Sequence, residues 1–267
     1  MSLTEAGVFL QRRSEIMLSS IEETMVGLRQ FGSGQKGLIS IGLLSSVARN
    51  LLPAASEKLA VKFPDIELDI LEISPVEAID LLYGRQLSVA VLAEDSIAKS
   101  ILSFSKTNLF EDPYVLAVPK SVSLENIKNL DELKKSPVSK ALSNIIQFEF
   151  GNQHKKRIEE WFTSVLPNSK VFAKTRTYEV ALSMVQSGRG VAVVPALAAR
   201  LGGKNLDFDV NLYRTNLPVR KIISLIPSQY VRVEPYKSFI EALTETGKKM
   251  KLPKIHKVPP ILESLSV

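Results

Sequence analysis

The first 31 residues carry apolar side chains at the spacing of a coiled-coil helix. The seam residues are Leu3, Leu10, Met17, Ile21, Leu28 and Phe31. A repeat near 3.5 residues aligns such side chains along one stripe, which packs against another helix. Because Ser14 and Thr24 interrupt the stripe, we expect the helix to be weak alone and to pair with a copy of itself. The alternative is a core helix of the same domain.

From residue 38 the pattern changes to short apolar runs that alternate with amphipathic helices, and this order occurs twice. Residues 38–93 and 145–195 each predict strand, helix, strand, helix, strand. The interval from Glu77 to Val89 equals that from Glu179 to Val191. Right-handed crossovers then give each half a parallel sheet with helices on both faces. The predicted fold class is α/β with two lobes.

Two extended segments are predicted to connect the lobes. Residues 101–119 lead from the first half into the second, and residues 219–230 lead back. A chain that crosses twice forms a two-strand hinge, makes the first lobe discontinuous and leaves a cleft between the lobes. The predicted regions are a linker helix 3–31, lobe I 38–110 plus 222–249, lobe II 111–221 and a basic, proline-containing tail 250–267.

The connector Gly32–Gly37 matches G-x-G-x-x-G, the fingerprint of dinucleotide binding. That fingerprint works only after a strand and at the start of a helix, where amides approach a pyrophosphate. Here a helix precedes it and a strand follows, so a flexible linker is predicted.

A capping box marks the start of a helix further along the chain. It consists of Ser74, Pro75 and Glu77.

Composition excludes several classes of protein. The chain has no cysteine, so disulfides and zinc–thiolate sites are excluded, and a reducing cytoplasm is the expected location. No apolar run reaches the roughly 20 residues of a membrane span. The net charge is +6, but the lysines cluster only at 248–257 around prolines. A solvated tail is favoured there over a phosphate-binding surface, because aromatic stacking residues are missing.

Candidate binding residues follow strands at the ends where ligands collect in parallel sheets. They are Ser45, Ser46, Phe150, Gly151, Asn152, Thr175, Arg176 and Thr177. Hydroxyls and amides at helix starts suit a carboxylate or another small anion, and Arg176 could pair with it bidentately. The alternative for Ser45, Asn152 and Thr177 is that each merely caps a helix.

Catalytic chemistry finds little support in the sequence. The histidines are His154, among lysines, and His256, in the tail, and neither has an evident nucleophile or second ligand nearby. Glu159 and Glu160 are adjacent on a helix and point apart. We therefore expect a binding protein that uses no cofactor and no metal and that is not an enzyme.

The sequence resembles the LysR-type transcriptional regulators, in their effector-binding portion and linker helix. The resemblance rests on "LTEAG" at 3–7, the strand–turn–helix–strand at 37–72, "AIDLLYGRQLSVAVL" at 78–92 and "SGRGVAVVPALAAR" at 187–200. It implies two Rossmann-like lobes of the periplasmic-binding-protein type II kind and a linker helix that pairs between subunits. It also implies a small-molecule effector in the cleft, a homodimer or homotetramer, and a winged helix-turn-helix DNA-binding domain before residue 3.

The family's effector contacts fall on the same candidate residues. Ser45 and Ser46 stand where many members carry threonine, and Phe150 puts an aromatic ring beside the second turn, so the ligand class stays open. A transport-type solute-binding protein and an enzyme on this fold are the alternative functions.

Overall fold

A computed structural model describes residues 4–33, 36–97, 104–136, 139–149, 152–202 and 207–263. The chain divides into two compact units. Unit 1 comprises Met1–Leu109 and Ile222–Lys249, and unit 2 comprises Phe110–Lys221 and Met250–Val267.

Helices and strands alternate through both units. The helices are α1 Glu5–Ser33, α2 Ser45–Lys62, α3 Pro75–Tyr83, α4 Leu130–Lys135, α5 Ser139–Leu142, α6 Asn152–Val165, α7 Tyr178–Gln186, α8 Tyr236–Lys248 and α9 Pro260–Glu263. The strands are β1 Lys36–Leu43, β2 Asp65–Glu72, β3 Val89–Ala93, β4 Phe104–Asp112, β5 Tyr114–Pro119, β6 Asn144–Phe148, β7 Lys170–Thr175, β8 Ala192–Pro195, β9 Val210–Arg214 and β10 Arg220–Pro227. All the elements predicted for the two repeats are present.

Unit 1 is built on one five-stranded sheet in the order β2-β1-β3-β10-β4. β1 pairs in parallel with β2 and β3, as predicted, whereas β10 is antiparallel to β3. Ile39, Ile41 and Leu43 of β1 are fully buried. Gly42 has no room for a side chain, because a Cβ there would lie 2.5 Å from atoms of Ile73 and Leu87.

Unit 2 contains a three-stranded antiparallel sheet, β8-β5-β9, and the parallel pair β6-β7. A parallel bridge between Ile145 and Val191 places β6 beside β8. Alternate residues of β5 enter two hydrophobic clusters: Leu116 packs with Trp161 of α6, and Ala117 packs with Leu182 of α7. Helices therefore cover both faces of this sheet, as the repeat predicts.

The parallel pairing predicted for the repeats is present in both units, but antiparallel strands that the repeats do not predict are added to it. The two predicted extended segments supply β5 and β10 as antiparallel strands, and β9, which was not predicted, pairs antiparallel with β5. More than 70 residues separate each of these antiparallel pairs in sequence, so no local pattern sets the direction of pairing.

The glycine-containing connector is shorter than predicted. α1 continues through Ser33 and β1 begins at Lys36, so only residues 34 and 35, which lie outside the described residues, separate them. Most of Gly32–Gly37 therefore belongs to regular elements rather than to a flexible linker. The order helix then strand agrees with the rejection of a dinucleotide site.

The C-terminal tail packs against unit 2, so the prediction of a solvated tail is wrong. The backbone N–H of His256 donates to the carbonyl of Leu212 at 2.7 Å, and the N–H of Arg214 donates to the carbonyl of His256 at 3.0 Å. Ile261 and Leu262 are each 2% exposed and lie in a core cluster with Trp161. The chain therefore passes from one unit to the other three times, at residues 109/110, 221/222 and 249/250.

Candidate ligand-binding site

The first turn of α2 contains a buried serine hydroxyl that makes no hydrogen bond to the described part of the protein. β1 ends at Leu43, and the N-cap residue Leu44 supplies no side-chain hydrogen bond to the first turn of α2. Ser46 is 2% exposed, and its Oγ has no hydrogen-bond partner among the described residues. Ser45 precedes it and is half-buried.

This arrangement suits an external hydrogen-bond acceptor. The first backbone N–H groups of a helix lack partners within the helix, and the helix dipole favours negative charge there. A buried hydroxyl without a partner costs about 1–3 kcal/mol, which a ligand oxygen would recover. The first turn of α2 can therefore hold an anion through backbone amides and the Ser46 hydroxyl together.

In unit 2, the structure brings the ends of β6 and β7 together. Phe148 pairs with Thr175 in the parallel register, and the N–H of Glu149 donates to the carbonyl of Thr175 at 2.7 Å. Asn152 begins α6. Of the other predicted residues in that turn, Phe150 and Gly151 lie outside the described residues, as does the side chain of Asn152.

The Thr175–Thr177 stretch is engaged in local hydrogen bonds. Thr177 is the N-cap of α7, where its Oγ1 accepts from the N–H of Val180 at 3.4 Å. Thr175 Oγ1 accepts from the N–H of Thr177 at 3.3 Å. The capping alternative is therefore what the structure shows for Thr177, whereas Ser45 lies inside α2 and does not cap it. Arg176 is exposed.

Sequence reasoning missed an aromatic pair beside these turns. The rings of Phe148 and Tyr178 stack with centroids 3.8 Å apart and planes 18° apart. Burial raises the pKa of the Tyr178 hydroxyl well above its usual range, and the positive charge of Arg220 opposes this only in part. The hydroxyl is thus a neutral donor across ordinary pH. The sequence signal for this residue was its place, since Tyr178 directly follows the predicted cap Thr177.

A buried ion pair was also missed. Arg220, 4% exposed, pairs through Nη2 with Oδ2 of Asp112, which is fully buried, and Oδ1 of Asp112 accepts from the N–H of Leu197 at 3.0 Å. Burial works against the charge of Arg220, but the Asp112 carboxylate prevails and raises its pKa. The partners are 108 residues apart in sequence, so no local pattern could reveal them.

The residues considered for catalysis have structural contacts. His256 Nδ1 lies 2.9 Å from Oε1 of Glu125, and its ring stacks on Tyr213. Glu159 accepts from Gln147, and Glu160 lies 3.8 Å from Lys156. The side chain of His154 is outside the described residues.

Neither a metal centre nor a membrane span is found in the part of the chain that the structure describes. Among those residues, no group of three or more His, Cys, Asp or Glu side chains is placed to hold a metal ion. No helix within the described ranges combines the length and the apolar character needed to cross a membrane.

Comparison with known proteins decides the family. The family model of the LysR substrate binding domain matches residues 32–248. The chain belongs to the LysR substrate-binding domain family. The match begins at the end of α1 and ends at the last residue of α8, so the tail that packs on unit 2 lies beyond it.

Individual members are distant in sequence. The nitrogen assimilation regulatory protein nac of Escherichia coli K12 is 24% identical over 202 residues, which are 74% of this chain and 61% of that protein. The chain thus matches less than two thirds of that regulator's length. The matched relatives are named as transcriptional regulators rather than enzymes or transport proteins.

Solved structures share the fold. A full-length OxyR variant from Pseudomonas aeruginosa superposes with a TM-score of 0.61 at 16% identity, covering 94% of this chain and 80% of that one. The effector binding domain of QuiR in complex with shikimate gives 0.58 at 15% identity, covering 82% and 100%. These neighbours share the α/β architecture predicted from the repeat and the periplasmic-binding-protein-like fold that the resemblance implies.

Proposed function

We propose that this LysR substrate-binding domain senses a small organic anion and transmits its binding to the DNA-binding part of a transcriptional regulator. The observation that carries the proposal is the buried Ser46 hydroxyl, which has no hydrogen-bond partner among the described residues, at the uncapped start of α2. QuiR, a structural neighbour, is described in complex with shikimate, a hydroxylated carboxylate. We infer that a carboxylate of this chain's ligand accepts hydrogen bonds from Ser46 and from the first-turn amides.

Unit 2 would contribute the second half of the recognition. The Phe148–Tyr178 stack offers an apolar ring surface, and the neutral Tyr178 hydroxyl offers a polar edge. Arg176, exposed beside them, would compensate a negative charge, and Gly151 and Asn152 would supply amides at the start of α6.

Helix α1 would carry the signal. Arg85 Nη1, at the turn after α3, donates to Ser20 Oγ of α1 at 2.9 Å, which ties this helix to the body of unit 1. A movement of that body would therefore move α1. By the family resemblance, α1 leads towards a DNA-binding domain, and rotation of α1 would reorient that domain.

Exposed apolar residues on α1 and on two edge strands support a homodimer or a homotetramer. Leu10, Met17 and Ile21 are 60–65% exposed along the α1 seam, as expected for a helix that pairs with a copy of itself. The edge strands β2 and β7 also expose Ile70 and Phe172. Light scattering should give the mass of at least two chains, and a monomer at micromolar concentration would contradict this assembly.

Calorimetry with a panel of small carboxylates, beginning with shikimate, tests the ligand site. Loss of a hydrogen bond to a charged group weakens binding roughly tenfold to a hundredfold, so Ser46→Ala should lower the affinity of any bound acid by that factor. Ser56→Ala is the matched control, because Ser56 is half-buried on the same helix and its Oγ donates to the Pro53 carbonyl. Equal affinity in wild type and Ser46→Ala would rule out this site.

A further inference from the structure

A cavity of about 550 Å³ lies wholly within unit 2, and none of the candidate effector residues line it. Its apolar wall is formed by Val219, Leu252, Ile255 and Val258, and Pro113 contributes a buried edge. This volume is in the range of cavities that hold small molecules.

The C-terminal segment forms one side of this cavity, and main-chain hydrogen bonds fix it in place. His256 exchanges hydrogen bonds with the backbone of Leu212 and Arg214 in β9, and its ring lies against Tyr213. Leu252 and Ile255 pack on one core cluster and Val258 packs on the other. The wall is therefore preformed rather than assembled by a ligand.

The charge around the cavity favours an anion. Arg214 and Lys257 line it and are exposed, and neither forms an ion pair within the described part of the chain. Glu111 is the acidic group in the lining. The His256 ring is engaged by Glu125, which is not a lining residue. Two cations against one carboxylate leave a surplus of one positive charge, which matches a monoanion.

The cavity lies beside the places where the chain leaves and re-enters unit 2. Glu111, Val219 and Leu252 lie within three residues of the three points where the chain passes from one unit to the other. A molecule in this cavity would therefore contact residues next to all three connections. Asp112 and Arg220, the immediate sequence neighbours of Glu111 and Val219, form the buried ion pair.

We propose that this cavity is a second ligand site, which takes a small organic monoanion with an apolar body. The apolar body lies against Val219, Leu252 and Val258, and the acid group lies between Arg214 and Lys257. The site depends on the C-terminal segment, which lies outside the matched family region, and it does not depend on Ser46.

Fluorescence titration with 8-anilinonaphthalene-1-sulfonate, an aromatic monoanion, tests this proposal on the full chain. Wild type should bind one molecule saturably, with enhanced emission. Arg214→Gln with Lys257→Gln should weaken binding about fivefold to thirtyfold, the range for two partly exposed charge pairs. Val219→Trp, at an exposed position, should fill the cavity and abolish this binding without unfolding the chain.

Two controls separate this site from other binding. Lys254→Gln removes an exposed charge from the same segment but not from the cavity lining, so its affinity should stay at the wild-type value. Ser46→Ala should also bind the probe as wild type does, whatever its effect on carboxylates. Equal weakening by Lys254→Gln, loss in Ser46→Ala, or wild-type affinity in Val219→Trp would each overturn the proposal.

Discussion

The start of α2 in unit 1 and the strand ends of unit 2 treat their polar groups in opposite ways. In unit 1, the Ser46 hydroxyl is buried at the start of α2 without a partner among the described residues. In unit 2, Thr177 caps α7 and Asp112 is bound by both Arg220 and the Leu197 amide. Hydrogen-bonding capacity is left unused at Ser46, whereas it is consumed internally at Thr177 and Asp112.

This difference separates ligand recognition from fold stability. A polar group that is already bonded stabilises its own unit and offers a ligand little additional energy. An unbonded buried group does the reverse, since it weakens the free protein and gains when a ligand arrives. Replacing residues of the two kinds should therefore have opposite effects on the free energy of unfolding.

The largest expected effect comes from the buried pair of unit 2. Asp112→Ala leaves the Arg220 guanidinium charged and without its partner in the interior, which should cost about 3–5 kcal/mol of unfolding free energy. Urea denaturation followed by circular dichroism measures it.

A double variant is the control for that experiment. Asp112→Ala with Arg220→Met removes both charges, and apolar replacement of a buried pair is often neutral, so most of the lost stability should return. A cost below about 1 kcal/mol for Asp112→Ala alone would show that the pair does not stabilise unit 2.

Most of the elements could be predicted because each carries a local signal. Unbroken apolar runs predict the buried strands β3 and β8, and Ser74 with Pro75 and Glu77 predicts the start of α3. The segments of β5 and β10 could be recognised as extended, but their partners could not be predicted, because pairing is set by long-range packing.

The C-terminal segment was misinterpreted although it has a pattern. Its apolar residues recur every three positions, at Leu252, Ile255, Val258 and Ile261, and Lys251, Lys254 and Lys257 recur at the same interval. A period of three is typical of an extended polyproline helix with one apolar face. Its lysines and prolines and its lack of aromatic stacking residues instead favour a solvated tail, which the structure contradicts.

The sequence predicts the positions of the candidate site, but it does not show which of their side chains are already hydrogen-bonded within the protein. Ser46 and Thr177 both follow strands and both lie at helix starts, so the sequence alone does not rank them. What distinguishes them is whether the hydroxyl oxygen reaches a backbone N–H, and that depends on side-chain geometry. The Phe148–Tyr178 stack was missed because its two rings are 30 residues apart in sequence, so their contact depends on long-range packing.

A helix cap within unit 1 gives the next effect in size. Ser74 Oγ accepts from the N–H of Glu77 at 3.1 Å at the start of α3. Ser74→Ala should therefore lower the free energy of unfolding by about 1 kcal/mol, measured by urea denaturation. Ser74→Asp retains an acceptor at the cap and should keep most of the stability. Equal losses in both variants would contradict a capping role.

The smallest effect, and the one of opposite sign, is expected at Ser46. Ser46→Ala makes the same chemical change as Ser74→Ala, but it removes a buried hydroxyl that has no partner among the described residues, and alanine is the better helix former. The ligand-free chain should therefore gain about 0.5–1 kcal/mol in the urea experiment. A loss as large as that of Ser74→Ala would mean that the Ser46 hydroxyl is bonded within the protein. That result would contradict the proposed difference between Ser46 in unit 1 and the bonded polar groups of unit 2.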